Sequence, residues 1–155
     1  MAIYIESSLA TSRLFLSLLV MTYLDLPLLS KPGEEWQHSK PDVFSIRKTT
    51  SEMYLEPIIH EVKVRRADLL GDLKKPEKHQ GYLAAAGQCV YLLAAGIAKR
   101  EEIPECCGVM VEEGDRLVMV RAAPRTEPFV PGISTWMSLA KATPYRSERS
   151  WAKML

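Results

Sequence analysis

The segment Ile58-Ile-His-Glu-Val-Lys-Val64 constrains this chain more than any other. Read as a strand, it sends Ile59, Glu61 and Lys63 to one face and Ile58, His60, Val62 and Val64 to the other, because strand side chains alternate with a period of two. A carboxylate and an ammonium side by side on one face of an otherwise apolar strand cost free energy unless something uses them. Asp42, in the pair Pro41-Asp42, stands nineteen residues before Glu61. Pro41 to Lys48 alternates as Asp42, Phe44, Ile46 against Val43, Ser45, Arg47, which predicts a second strand. Thr49-Thr50-Ser51-Glu52 is a turn, and Met53 to Val64 returns as the partner strand. Such a hairpin brings Asp42 close to Glu61.

A divalent metal held by Asp42 and Glu61, with Lys63 beside an attacking water, would use both charges of the strand. Phosphodiester hydrolysis places negative charge on phosphoryl oxygens, which a Lewis-acidic cation stabilises. Hard cations such as Mg²⁺ take oxygen ligands and keep several waters, so two carboxylates and one backbone carbonyl are enough protein. The plainer reading of the same residues is an exposed Glu61–Lys63 ion pair on an edge strand, worth under ~1 kcal/mol.

Pro41-Asp42 … Glu61-Val62-Lys63 resembles the motif of the PD-(D/E)xK nuclease superfamily. The longer run His60-Glu-Val-Lys-Val-Arg-Arg-Ala-Asp-Leu-Leu-Gly-Asp-Leu-Lys74 is similar to its MmcB-like DNA repair branch, in which the Glu-x-Lys strand leads into Arg-x-Asp, an apolar pair and a further Asp. Tyr91-Leu-Leu-Ala-Ala, Ile103-Pro104 and Cys107-Gly-Val-Met110 look like that branch's fourth strand and the lead into its fifth. The resemblance spans roughly Ser39 to Pro124 and implies a restriction-endonuclease-like α/β core, a mixed central sheet flanked by helices. It implies Asp42, Glu61 and the carbonyl of Val62 as ligands of Mg²⁺ or Mn²⁺, and Lys63 as the group that orients or activates water. It also implies DNA as the partner and permits a homodimer. Many relatives of this kind carry one more acid near the start of the chain; Glu6, Glu34 and Glu35 stand there, and none matches clearly. Arg66 and Asp68 fit the branch pattern, with Asp68 equally suited to cap a helix and Arg66 able to pair with it or to reach a phosphate. His79, Gln80 and Tyr82 follow on the helix where related nucleases place polar residues toward substrate.

With 155 residues, 47% of them apolar, the chain suffices for one domain, with a core over about 7–124 and an extension over 125–155. The net charge of +1 excludes a molecule that attracts nucleic acid over its whole surface. Basic character is local to residues 63–80, where Arg65, Arg66, Lys74 and Lys75 are candidates to track a phosphate backbone and equally suit a solvated helix surface. Three cysteines without a C-x-x-C pair argue against a disulfide framework and a structural zinc, and suit a reduced, cytoplasmic protein. The histidines show no zinc spacing, and only loose residues support Cys–His hydrolysis.

The apolar run Leu14–Met21 is too short to span a membrane and lacks the marks of a signal peptide. It predicts an amphipathic helix from Ser7 or Ser8 to about Tyr23. Pro27, Pro32 and Gly33 break that pattern, and 34–39 reads as a loop. Asp68 to Asp72 predicts a short helical turn, and Glu77 to Gln88 a longer helix whose small Ala84-Ala85-Ala86-Gly87 run suits close packing on a sheet. Cys89 to Ala95 is a continuous apolar strand, central and buried on both faces. Gly108–Val111 and Leu117–Arg121 predict a hairpin around Glu113-Gly114-Asp115, and Ile133–Ala142 a last helix. Nuclease chemistry and a non-catalytic nucleic-acid-binding or assembly module on the same fold are the two functions this pattern leaves open.

Overall fold

The computed structural model describes residues 20–125 and 128–145. At its centre is a six-stranded mixed sheet in the order β1-β4-β5-β6-β7-β8, formed by Val20–Leu24, Val43–Arg47, Ile58–Lys63, Cys89–Leu93, Gly108–Glu113 and Arg116–Arg121. The pairs β1–β4, β4–β5 and β7–β8 are antiparallel, and β5–β6–β7 are parallel. Parallel neighbours need a crossover connection, and two helices supply it between β5 and β6: α1 (Arg66–Leu73) and α2 (Pro76–Ala86). A small hairpin, β2 (Leu28–Ser30) with β3 (Gln37–Ser39), packs on α2, and α3 (Ile133–Lys141) packs on β2.

The alternation of each strand sorts its side chains between two clusters. Phe44, Ile46, Ile59, Tyr91, Leu93 and Val109 face one side, where they bury against Leu69 of α1 and Tyr82, Ala85 and Ala86 of α2. Val43, Val62, Val90 and Leu92 form a smaller cluster on the other face. All five residues of β6 are buried, as its unbroken apolar run requires of a strand covered on both faces. His60 stands on the smaller face, where its ring lies 3.0 Å from the Ser45 hydroxyl. Burial pulls the His60 pKa down to about 4, so the ring is neutral around pH 7.

Several sequence expectations are corrected. Residues 20–24 are strand β1 rather than a helix end, because Val20 to Leu24 pair in register with Arg47 to Val43 and Tyr23 packs edge-on against Phe44. The rest of that predicted helix, residues 7–19, and Glu6 lie outside the described residues. Gln37–Ser39, read as loop, pairs with Leu28–Ser30; three polar residues give no periodic signal, and the hairpin is held by α2, where Ser30 Oγ donates to the Gly81 carbonyl at 3.0 Å. The approach is so close that a Cβ at Gly81 would lie 2.8 Å from Gln37 Oε1, which explains a glycine inside a helix. Residues 53–57 do not extend β5. Glu52–Tyr54 is a 3₁₀ turn and Glu56 takes a left-handed φ of 43°, its carboxylate held by Arg47 and Arg125. Asp68 does not cap α1: the helix begins at Arg66, and Arg65 occupies the capping position without a side-chain bond. Cys89 and Cys107 are buried, whereas Cys106 is exposed. Among the described residues no helix is long and apolar enough to cross a membrane.

Beyond β6 the chain runs through a 3₁₀ turn at Arg100–Glu102 into β7, and Arg121 at the end of β8 secures this connection. Its guanidinium donates to the carbonyls of Arg100, Ile103, Pro104 and Cys107 at 2.7–3.1 Å. Arg121→Ala strands these acceptors, so it is expected to lower unfolding free energy by about 2 kcal/mol or more. Urea denaturation checks this; an unchanged midpoint would show that water replaces the guanidinium without loss.

Candidate active site

Glu61 and Lys63 project from the middle of the sheet into the helix-covered face, with only 2% and 9% of their surface exposed. Charges taken that far from water need partners. The Lys63 ammonium lies 3.0 Å from Glu61 Oε2 and 2.6 Å from Asp72 Oδ2 in the last turns of α1. Lys78 of α2 reaches the same two oxygens, at 3.0 and 2.8 Å. Each carboxylate oxygen is therefore shared by two ammonium groups, in a closed square of alternating charge. Tyr82 completes the shell of Glu61 by donating its hydroxyl to Oε1 at 2.5 Å. Lys78 and Tyr82 are four residues apart and so lie on one face of α2, with the Lys78 ammonium 5.4 Å from the Tyr82 ring centre.

Burial would lower the Lys63 pKa, but hydrogen bonds to Asp72 and Glu61 and their charges outweigh it and hold it above the ordinary lysine value. Burial likewise opposes ionisation of Asp72, and the two lysines override it, leaving its pKa below the usual carboxylate value. Lys63 is an ammonium throughout the neutral range, a group that orients and stabilises anions and has no lone pair to accept a proton. Burial, then the Glu61 charge, drives the Tyr82 phenol far above its ordinary pKa, so it remains a donor. His79, buried on α2, bonds Tyr91 at 2.5 Å, and burial is the main cause that lowers its pKa.

Asp42 enters from the end of β4. The last β4–β5 pair is Val43 with His60, and past it the strands part. There Asp42 Oδ2 takes the place of a backbone acceptor and receives the Val62 N–H at 2.8 Å. Ile59 N–H and Lys63 C=O bond toward β6. Since both backbone groups of a strand residue share an edge and edges alternate along the strand, Val62 directs its carbonyl to the β4 edge, beside Asp42. Burial and then the nearby Glu61 charge raise the Asp42 pKa, against the Val62 N–H and the two lysines, which lower it. Three carboxylates against two ammonium groups leave one negative charge in excess, on the half-exposed Asp42.

The fork thus gathers the expected Asp42, Glu61, Val62, Lys63 and Tyr82. It does not gather the rest. Arg66 is tied to Glu102 at 2.7 Å and to the Ile97 carbonyl at 2.8 Å, pairing with neither Asp68 nor the site. Arg65 is exposed just before α1, Asp68, Lys74, Lys75 and Gln80 are exposed on or between the two helices, and Glu34 and Glu35 are exposed between β2 and β3. Asp72 and Lys78 are the members whose role sequence reasoning missed. The four-residue step from Lys78 to Tyr82 was the available signal, obscured because both lie beside a charge run that reads as solvated helix. Among the described residues no set of three or more acidic, histidine or cysteine side chains is arranged to hold a metal. A cation here would rest on Asp42, Glu61, the Val62 carbonyl and water, an all-oxygen donor set that suits Mg²⁺ or Mn²⁺.

No family model matches the chain, and no curated protein does. Among solved structures it is similar to a protein of unknown function from Silicibacter pomeroyi, with a TM-score of 0.56 and 18% identity over 99% of this chain and 84% of that one. That likeness is one of fold.

Because folding raises the Asp42 pKa, the folded state prefers its neutral form, and stability is lost as pH rises through that value. Asp42→Asn keeps an acceptor for the Val62 N–H and removes the charge. The variant is expected to be more stable than the parent at pH 7, with the difference vanishing at pH values below the unfolded carboxyl's ordinary pKa of 3.8. Denaturant midpoints at the two pH values measure this, and an Asn variant less stable at pH 7 contradicts it.

Proposed function

We propose that this protein is a metal-dependent phosphodiester hydrolase acting on DNA, a repair or processing nuclease built on a restriction-endonuclease-like core. The observation that carries this reading is the fork between β4 and β5, where a half-exposed Asp42, a buried Glu61, the Val62 carbonyl edge and the Lys63 ammonium converge. The motif Pro-Asp … Glu-x-Lys and the PD-(D/E)xK resemblance support it. Bound there, Mg²⁺ or Mn²⁺ would supply Lewis acidity and a water acidified toward neutral pH. The residues do the rest. Asp42 holds the Val62 amide and thereby sets the edge on which two oxygen donors meet. Lys63, an ammonium pinned between Glu61 and Asp72, orients the attacking water and faces the charge that grows on the phosphoryl oxygens. Tyr82 and Lys78 hold the Glu61 carboxylate in one rotamer. The reading carries with it a reduced, cytoplasmic setting.

One observation favours a second reading, a nucleic-acid-binding module without catalysis. Both Glu61 oxygens are already occupied, by Tyr82 on one side and by two ammonium groups on the other. A metal must compete with these for a lone pair.

Calorimetric titration with Mn²⁺ separates the two. Binding in the micromolar to millimolar range, abolished in Asp42→Ala and in Glu61→Ala, is expected. Lys63→Ala should retain the metal and lower DNA cleavage by about 10²-fold or more. No Mn²⁺ binding by the parent chain would transfer the conclusion to the non-catalytic module. Cleavage unaffected by either Glu61→Ala or Lys63→Ala would remove catalysis from this site.

A further inference from the structure

A cleft of about 440 Å³ opens between the β2–β3 hairpin and the first turns of α2, and Lys78 and Tyr82 form part of its wall. Both residues bond Glu61, so the cleft and the candidate site share a wall. Its outer walls carry Lys40 after β3 and Lys75 before α2. Each of these lysines is exposed, and neither has an acidic partner within ion-pair distance among the described residues. Glu77 is the acid that opposes them in the wall. The ammonium of Lys78 is already paired with Glu61 and Asp72, so Lys40 and Lys75 are the two unpaired cations on this concave surface, in excess over Glu77, of a protein whose net charge is only +1. Focused charge of one sign in a concavity concentrates anions there.

Two further features bear on what kind of anion this is. The Ser39 hydroxyl, also in the cleft wall, is the one buried side-chain oxygen or nitrogen among the described residues without a hydrogen-bond partner. A buried hydroxyl left unpaired is unfavourable, and an acceptor reaching it would remove that cost. Trp36 immediately precedes Gln37, a wall residue, and is 58% exposed on the same hairpin. Large exposed indoles beside a basic groove are how proteins stack the bases of an unpaired strand. The volume lies within the range of clefts that hold small ligands, about 300–1,000 Å³, and a duplex could only lie across it.

We propose that this cleft binds a single nucleic-acid strand, with Lys40 and Lys75 on successive phosphates and Trp36 against a base, and delivers the strand to Glu61 past Lys78. The inference rests on the nuclease reading only for the fate of the strand once it is bound. Its groups differ from the metal donors, so it is tested without metal.

The test follows fluorescence anisotropy of a labelled short oligothymidylate with the full chain, in chelator, over a series of salt concentrations. The paired charge reversals Lys40→Glu and Lys75→Glu are expected to weaken binding at least tenfold and to flatten the salt dependence by about 0.7 for each phosphate no longer neutralised. Both side chains are exposed and unpaired, so folding should be unchanged, as thermal unfolding would verify. Trp36→Phe should remove the quenching of indole emission that the oligonucleotide produces. Arg116→Glu on the far edge strand should leave affinity within about twofold of the parent, the surface being screened over about 10 Å. Equal weakening by Arg116→Glu, indifference to the lysine reversals, or tighter binding of the matching duplex than of the strand would each overturn the proposal. Oligonucleotide binding without any Mn²⁺ binding would uphold the cleft while refuting the metal site.

Discussion

Glu61 and Lys63 occupy adjacent inward positions on a strand whose face is otherwise closed by Ile59, Tyr91 and Leu93. An ion pair placed there has lost its water, and a single pair does not recover that cost in a low-dielectric interior. What surrounds it follows from this deficit. The α1–α2 crossover brings Asp72 and Lys78 down onto the strand, and Tyr82 takes the remaining Glu61 oxygen. The helices thus cover the sheet in two ways, an apolar one through Leu69, Ala85 and Ala86 and a polar one that admits only a single register of α2 over β5. A slip of one residue along α2 would rotate Lys78 and Tyr82 by about 100° and leave Glu61 uncompensated.

The charge square also sorts the candidate residues by role. Asp72 and Glu61 together neutralise Lys63 and Lys78, so neither lysine is free to wander, and Lys63 keeps its proton. Asp42 stands outside the square. It bonds one backbone amide, is half-exposed, and bears the charge that the lysines leave uncompensated. A buried, balanced network thus stands beside a half-exposed negative residue. Asp42 works against stability because burial desolvates its carboxylate and Glu61 repels it.

The β2–β3 hairpin walls the cleft that lies beside the candidate site. Its close seat on α2 at Gly81 sets one wall of the cleft, and the helix that carries Lys78 and Tyr82 sets the other. The α2 residues Lys78 and Tyr82 both line the cleft and bond Glu61, so they separate the groove from the buried carboxylate by one layer of side chains.

Much of the strand architecture was legible along the chain. Alternation in 41–48 and 58–64 identified β4 and β5 and placed Asp42 near Glu61, and the unbroken Cys89–Leu93 run identified a strand buried on both faces. Local pattern suffices there because side-chain direction in a strand depends only on residue parity. It failed where partners from elsewhere decide. Val20 to Leu24 is helical in pattern and extended in fact because β4 offers it a ladder, and Gln37–Ser39 is a strand only because α2 supports it. Arg66 found Glu102, thirty-six residues away, instead of Asp68 beside it. Sequence by itself determined which residues share the inner face of β5, since the period of two follows from backbone geometry. Only the tertiary structure decided that Asp72 and Lys78 complete that face, since a charge in a solvated-looking run beside a motif stays ambiguous until two helices turn it inward.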